Sequence, residues 1–126
     1  MLLPIVLLAA LHTAPAVPSA DDSLSGAWHI TGDVMGNPLD ETCTLKQTGA
    51  TLGGSCTGQA GEKTDVSGEV KDGKVVFKHG GDYQGQALTI TYTATAASTK
   101  QLKGSVDVQP FGVTGSFTAT PAPVKP

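Results

Sequence analysis

The 126-residue chain contains no arginine, and its eight basic residues are all lysines. The planar guanidinium of arginine is the group best suited to grip phosphate and carboxylate through paired hydrogen bonds. No cluster of lysines takes its place, and the formal net charge is −3 at pH 7. We therefore expect no nucleic-acid partner.

Motifs of covalent catalysis are also missing. After the first twenty residues the chain has two histidines, His29 and His79, and no Gly-x-Ser-x-Gly elbow. Asp40 and Glu41 are sequence neighbours, so on a strand their carboxylates point to opposite faces. We expect neither an enzyme nor a cofactor.

A long apolar run is absent, and the one short run lies at the start. Residues 1–11 read MLLPIVLLAAL, which is too short to span a membrane but has the length of a signal-peptide core. Small residues and prolines follow, and cleavage after Ala20 would leave a polar start at Asp21. We interpret residues 1–20 as a signal peptide, residues 21–120 as one domain and residues 121–126 as a disordered Pro-rich tail. The protein is thus expected to be secreted or periplasmic, without a membrane span.

Cysteine is scarce, but its count is even. Cys43 and Cys56 are the two cysteines of the chain, and a disulfide is the default state of such a pair in an exported protein. Two thiolates could instead hold a metal ion, but the sequence shows no histidine or further cysteine at ligand spacing. We predict a disulfide and no metal site.

Alternation with a period of two dominates the remainder of the chain. In residues 86–95, Leu88, Ile90, Tyr92 and Ala94 alternate with threonines, which indicates a strand with one buried face. Strands are predicted at 26–33, 39–48, 51–58, 64–71, 74–79, 86–95, 101–109 and 112–120. Eight short strands with short connections favour an all-β, up-and-down antiparallel barrel, and a β-sandwich is the alternative.

Two tight turns fix the expected register. Asp72-Gly73 is a strong hairpin signal, and it places Val70 opposite Val75 and Gly68 opposite Phe77. A turn at Gly49-Ala50 places Cys43 opposite Cys56, where the two side chains can bridge. The register and the disulfide therefore support each other.

Four segments repeat the pattern apolar-x-Gly-polar-apolar. They begin at Leu52, Val66, Leu102 and Val113, and each places a glycine on the apolar face of its strand. Glycine weakens the interior of a strand unless two backbones must approach closely. The repeat indicates sharp coiling or close packing, as in a small closed barrel.

Gly26-Ala27-Trp28 on the first predicted strand resembles the G-x-W signature of the calycin superfamily, which includes lipocalins and avidins. In that family the tryptophan packs at one end of a ligand-binding barrel. Residues 24–28 are also similar to the opening of the small periplasmic metalloprotease inhibitors, which are eight-stranded barrels with one disulfide. In this chain the cysteines face each other across one hairpin, whereas those of the inhibitors are farther apart.

The predicted inward face carries the candidate ligand contacts. They are Trp28, Phe77, Tyr92 and Phe117, with Tyr83 from the segment 79–85. The first four could line a cavity or fill the interior themselves. His79 and Asp82 offer too few donors for a metal site, and we interpret 79–85 as a flexible hairpin connection. Phe111 is expected in an exposed turn.

We predict a non-catalytic barrel that binds a small apolar ligand. The alternatives are a protein-binding barrel, such as a protease inhibitor acting through residues 21–25 or its loop tips, and a structural envelope protein without a discrete site.

Overall fold

The computed structural model describes residues 24–58 and 61–122, and the backbone alone of Ala96. Eight antiparallel strands follow one another around a closed barrel, in which β1 also pairs with β8. The strands are β1 Gly26–Val34, β2 Asn37–Thr48, β3 Thr51–Thr57, β4 Lys63–Lys71, β5 Lys74–Tyr83, β6 Gln86–Ala97, β7 Leu102–Gln109 and β8 Val113–Pro121. The predicted all-β up-and-down barrel is confirmed, and the sandwich alternative is excluded.

The segment that we interpret as a signal peptide, residues 1–20, lies outside the described residues, as do residues 123–126 of the predicted tail. Within the described ranges, no helix is long and apolar enough to cross a membrane.

Both predicted registers are confirmed. Around Gly49-Ala50, β2 and β3 pair Cys43 with Cys56, and the two cysteines form a disulfide. Around Asp72-Gly73, β4 and β5 pair Val70 with Val75 and Gly68 with Phe77. Asp72 has a φ of 53° and Gly73 a φ of 75°, the left-handed pair that a type I′ turn requires. The disulfide suggests that the protein resides in an oxidising compartment.

The repeated glycines allow neighbouring strands to approach closely. A Cβ added to Gly68 would lie 2.2 Å from the Val76 carbonyl oxygen and 2.6 Å from the Phe77 Cα. At Gly54, Gly104 and Gly115 the added atom would lie 1.9–2.0 Å from a carbonyl oxygen of a neighbouring strand. The close packing predicted from the repeat is therefore confirmed, because no other residue fits at these positions without moving the backbone.

The two ends of the barrel differ. We call the base the end that carries the turns at 49–50 and 72–73 and the connection 98–101, and the mouth the end that carries the connections 35–36, 58–62, 84–85 and 110–112. Leu24 and Trp28 are buried toward the base, where the indole Nε1–H donates to the Leu24 carbonyl at 2.8 Å. A tryptophan packed at one end is consistent with a calycin-like barrel.

The segment 79–85 differs from the expected flexible connection. It continues β5 as far as Tyr83, and Gln84-Gly85 alone makes the turn into β6. Gly80 and Gly81 pair with Thr89 and Leu88 in the ladder and do not form a turn. Asp82 stabilises the Gln84-Gly85 turn, because its Oδ1 accepts the Gly85 N–H at 3.0 Å.

Candidate functional site

Three buried aromatic rings fill the middle of the barrel. Tyr92 stacks on Phe77 with a centroid separation of 5.0 Å and meets Phe117 edge to face at 4.8 Å. Such pairs add to the free energy gained by burying the rings. Phe77, Tyr92 and Phe117 are therefore core residues that pack against one another, and Trp28 is a core residue toward the base.

A carboxylate lies among these apolar side chains. Glu41 comes from β2 between the inward residues Leu39 and Cys43, and its side chain is 11% exposed. Its Oε1 accepts the Tyr92 hydroxyl at 2.6 Å and lies 2.7 Å from the His79 Nε2. Glu41, His79 and Tyr92, which we call the polar triad, thus join β2, β5 and β6 inside the barrel.

The partners of His79 indicate its protonation state. Its Nε2 faces the Glu41 carboxylate, and its Nδ1 lies 2.6 Å from the Gly80 carbonyl oxygen. The Thr64 hydroxyl also lies 2.9 Å from the Nδ1. An imidazolium, which donates from both nitrogens, can satisfy the Glu41 carboxylate and the Gly80 carbonyl at the same time. Burial lowers the pKa of His79, but the hydrogen bond and charge of Glu41, with the Gly80 carbonyl, outweigh it and raise that pKa above 6.5.

Tyr92 acts in the triad as a donor only. Burial is the main cause that raises the pKa of Tyr92 above its usual range, and the charge of Glu41 and the hydrogen bond to it add to the increase. The phenol therefore stays protonated. No buried side-chain nitrogen or oxygen of residues 24–58 and 61–122 lacks a hydrogen-bond partner. The interior polar groups satisfy one another, which is what a stable buried network requires.

The triad also approaches the disulfide. Donor atoms of Glu41, Cys56 and His79 all lie within 4.8 Å of one another, which is close enough for a shared metal ion. The Cys56 sulfur is, however, bonded to Cys43 and cannot serve as a thiolate ligand. The two remaining donors already form an ion pair, so this arrangement does not fit a metal centre in the oxidised protein.

An apolar cleft of about 450 Å³ opens at the mouth. Its walls are mainly the last inward residues of the strands, and a few side chains of the connections complete it. The lining residues are Val34, Met35, Asn37, Leu39, Tyr83, Leu88, Ile90, Val108, Phe111 and Val113. Apart from the Asn37 amide and the Tyr83 hydroxyl, every lining side chain is apolar. This volume and character are typical of a site for a small molecule.

Exposed large apolar side chains are concentrated at this cleft. Met35 is 73% exposed, Tyr83 57% and Phe111 51%, and they are the exposed large hydrophobic residues of the described part of the chain. All three line the cleft. The Tyr83 and Phe111 rings meet edge to face at 6.2 Å, so they link two connections of the mouth. Solvent-exposed apolar patches of this kind mark binding sites.

The predicted ligand contacts are thus divided between two places. Tyr83 lines the cleft, whereas Trp28, Phe77, Tyr92 and Phe117 lie outside its lining. Ligand binding by any of these residues stays a prediction. The expectation that Phe111 lies in an exposed turn is confirmed.

Sequence reasoning missed both the polar triad and the cleft. Alternation could have revealed Glu41, because it shares the parity of Leu39 and Cys43, and His79 shares that of Val75 and Phe77. The cleft gave no such signal, since its walls come from distant strands. No protein-family model matches the chain. A search of curated proteins also found no match.

Proposed function

We propose that this protein is a non-catalytic binding protein that holds a small apolar ligand in the mouth cleft. One observation carries the proposal: the exposed large hydrophobic residues Met35, Tyr83 and Phe111 all border this single concave apolar site. Exposing them to water is unfavourable, and an apolar occupant removes that cost.

The contacts of the polar triad favour a structural role for its residues over a catalytic one. Glu41 and His79 line a smaller neighbouring cavity and not the cleft, and each bonds to other groups of the barrel. A general acid or base must reach a proton of the substrate. The cleft itself has neither a charged residue nor a serine or cysteine in its lining, so its chemistry favours binding over reaction.

The proposal includes export to the extracellular space or the periplasm. The disulfide and the apolar residues 1–11 support it. The G-x-W resemblance to ligand-binding calycins points to the same function. The alternative is a protein-binding barrel that acts through residues 21–25. Residues 21–23 of this segment lie outside the described ranges.

Binding of a ten-carbon alcohol, followed by NMR, tests the proposal. We expect chemical-shift changes at cleft methyl groups such as those of Ile90 and Val113. Phe111→Ser removes one wall of the cleft and should weaken binding severalfold to about tenfold, because the 51% exposed ring has about half of the roughly 1.5–3 kcal/mol of full burial left to gain.

Val76→Ser is the matched control, because Val76 is a half-buried apolar residue of β5 outside the cleft. It should leave the affinity unchanged. Absence of shifts at the mouth, or equal effects of both substitutions, would contradict the proposal. Shifts caused instead by a large protein partner at the same rim would favour the protein-binding alternative.

A further inference from the structure

Charge is unevenly distributed along the barrel axis. The mouth half of the described barrel contains one lysine, Lys63. It also contains the Glu41 carboxylate, which is paired with His79. The other carboxylates of this half are Asp33, Asp40, Glu62, Asp65, Asp82 and Asp107.

The base half has the opposite balance. Lys78 lies midway along β5, and the base half contains Glu69 and Asp72 as its described carboxylates. Its described lysines are Lys46, Lys71, Lys74, Lys100 and Lys103. The barrel is therefore negative around the mouth and positive around the base, although the net charge of the whole chain is small.

The carboxylates approach the cleft on one side. A second, smaller cavity of about 110 Å³ is lined by Glu41, Glu62 and Asp82, together with His79. Leu88 and Ile90 line both this cavity and the cleft. Because the two cavities share these two apolar side chains, the acidic groups of the smaller cavity lie next to the cleft. The linings of both cavities contain no lysine.

Such an arrangement selects a ligand by its charge. Glu62 and Asp82 beside the cleft, with the carboxylates on the outer face of the mouth, make the potential around the cleft opening negative, which attracts cations and repels anions. The Tyr83 and Phe111 rings at the rim also offer faces to a cationic group, to which aromatic rings are attracted. An anionic amphiphile such as a fatty acid would meet the same carboxylates as like charges.

We propose that the natural occupant of the cleft is a cationic amphiphile, a molecule with an apolar chain or ring body and an amine or quaternary ammonium head. The apolar body occupies the cleft, and the head remains at the rim within reach of the mouth carboxylates. This inference rests on the proposed function, because it names the class of ligand that the same cleft takes.

Three ligands with the same ten-carbon chain separate charge from apolar burial. They are decyltrimethylammonium, decanol and decanoate, titrated near neutral pH below the concentrations at which they form micelles. At low ionic strength we expect the cation to bind about tenfold more tightly than the anion, with the alcohol between them. Added salt should shrink the difference, because the mouth carboxylates are mostly exposed and are screened.

Each pattern of results has one meaning. The order cation, alcohol, anion supports the inference. Equal affinity for all three, or tightest binding of decanoate, overturns it and leaves the proposed function intact. Binding of none of the three overturns the inference and the proposed function together.

Charge-neutralising variants test whether these carboxylates cause the preference. Asp82→Asn keeps an oxygen that can accept the Gly85 N–H and so preserves the turn. Combined with Glu62→Gln, it should reduce the preference for the cation over the anion about threefold, with little effect on the alcohol. Glu69→Gln makes the same kind of charge change at the base and should leave the preference as it is. Equal losses in the mouth and base variants would overturn the inference.

Discussion

At the scale of the residue, Glu41 determines the chemistry of the barrel interior. Its Oε1 accepts a hydrogen bond from the Tyr92 hydroxyl and contacts the His79 Nε2. These side-chain contacts connect β2 to β5 and β6, in addition to the backbone hydrogen bonds of the barrel. Removing one member of a buried ion pair leaves the other charge uncompensated. The pair therefore makes the stability of the fold depend on the protonation of His79.

The pH dependence of stability follows from the raised pKa of His79. The unfolded imidazole titrates at about 6.5 and the folded one at a higher pH. The folded state thus binds the proton more tightly, and the resulting stabilisation is fully present below about pH 6.5 and is lost as the pH rises through the folded pKa. We expect the free energy of unfolding of the wild type to fall over this interval, relative to that of His79→Gln, in denaturant titrations.

His29→Gln is the control for this measurement. His29 also contacts a carboxylate, since its Nε2 lies 2.7 Å from the Asp40 Oδ1, but both side chains are about half exposed. Exposed pairs of this kind contribute little to stability. The control should therefore keep the wild-type dependence on pH, and identical curves for wild type and His79→Gln would show that the buried pair does not act as described.

At the scale of the element, two turns of the mouth hold residues in a backbone conformation that is unfavourable for their type. Met35 and Gln84 both have positive φ, 55° and 51°, at the first central position of two-residue turns that end in glycine. Asparagine adopts this conformation much more readily than either residue. Met35, however, lines the cleft, and Gln84 does not.

The two turns therefore provide a matched pair of substitutions. Met35→Asn and Gln84→Asn should each stabilise the fold by about 0.5–1 kcal/mol, because each relieves an unfavourable backbone conformation. Met35→Asn should also weaken binding of the ten-carbon alcohol severalfold, whereas Gln84→Asn should not. Thermal unfolding and NMR titration measure the two effects separately, and a loss of binding in both variants would contradict the assignment of Met35 to the site.

The elements themselves could largely be predicted from the sequence. Turn chemistry at 49–50 and 72–73 determined two registers, and alternation located all eight strands. The exception is 79–85, for which the sequence predicts a flexible hairpin connection and the structure shows a continuation of β5. In the barrel, Gly81 pairs with Leu88, and its missing side chain leaves the Ile90 Cδ1 3.1 Å from where a Cβ would be. Sequence alone does not distinguish a glycine paired within a strand from one required by the positive φ of a turn.

At the scale of the whole molecule, one covalent link supplements a modest core. The disulfide joins β2 to β3 across a sequence separation of 13 residues, and both of its sulfur atoms belong to buried residues. Replacing both cysteines by alanine should lower the free energy of unfolding by about 3 kcal/mol, mainly because the unfolded chain gains freedom. We expect an unchanged far-UV circular dichroism spectrum and a lower denaturant midpoint.

Reduction provides the control for the disulfide variant. A reducing agent should lower the midpoint of the wild type toward that of the double variant and should leave the double variant unaffected. An equal midpoint for wild type and variant without reductant would mean that the disulfide does not stabilise the fold.

The site was harder to predict than the fold, for a physical reason. Periodicity reports which face of a strand is buried, so it correctly placed Phe77, Tyr92 and Phe117 inside. It does not report at which height of a barrel an interior side chain lies, because that depends on the stagger of all eight strands. Phe77, Tyr92 and Phe117 lie in the middle, and the cleft is formed beyond them by aliphatic residues together with Tyr83 and Phe111.

The topology also determines how the molecule can be attached to something else. With eight strands alternating in direction, Leu24 and Ala122 lie at the same end, and the Ala122 N–H donates to the Ala27 carbonyl at 2.8 Å. The described part of the chain therefore begins and ends at the base. A fusion partner or a solid support attached close to Leu24 or Ala122 is joined at the base, so the attachment lies at the opposite end of the barrel from the cleft.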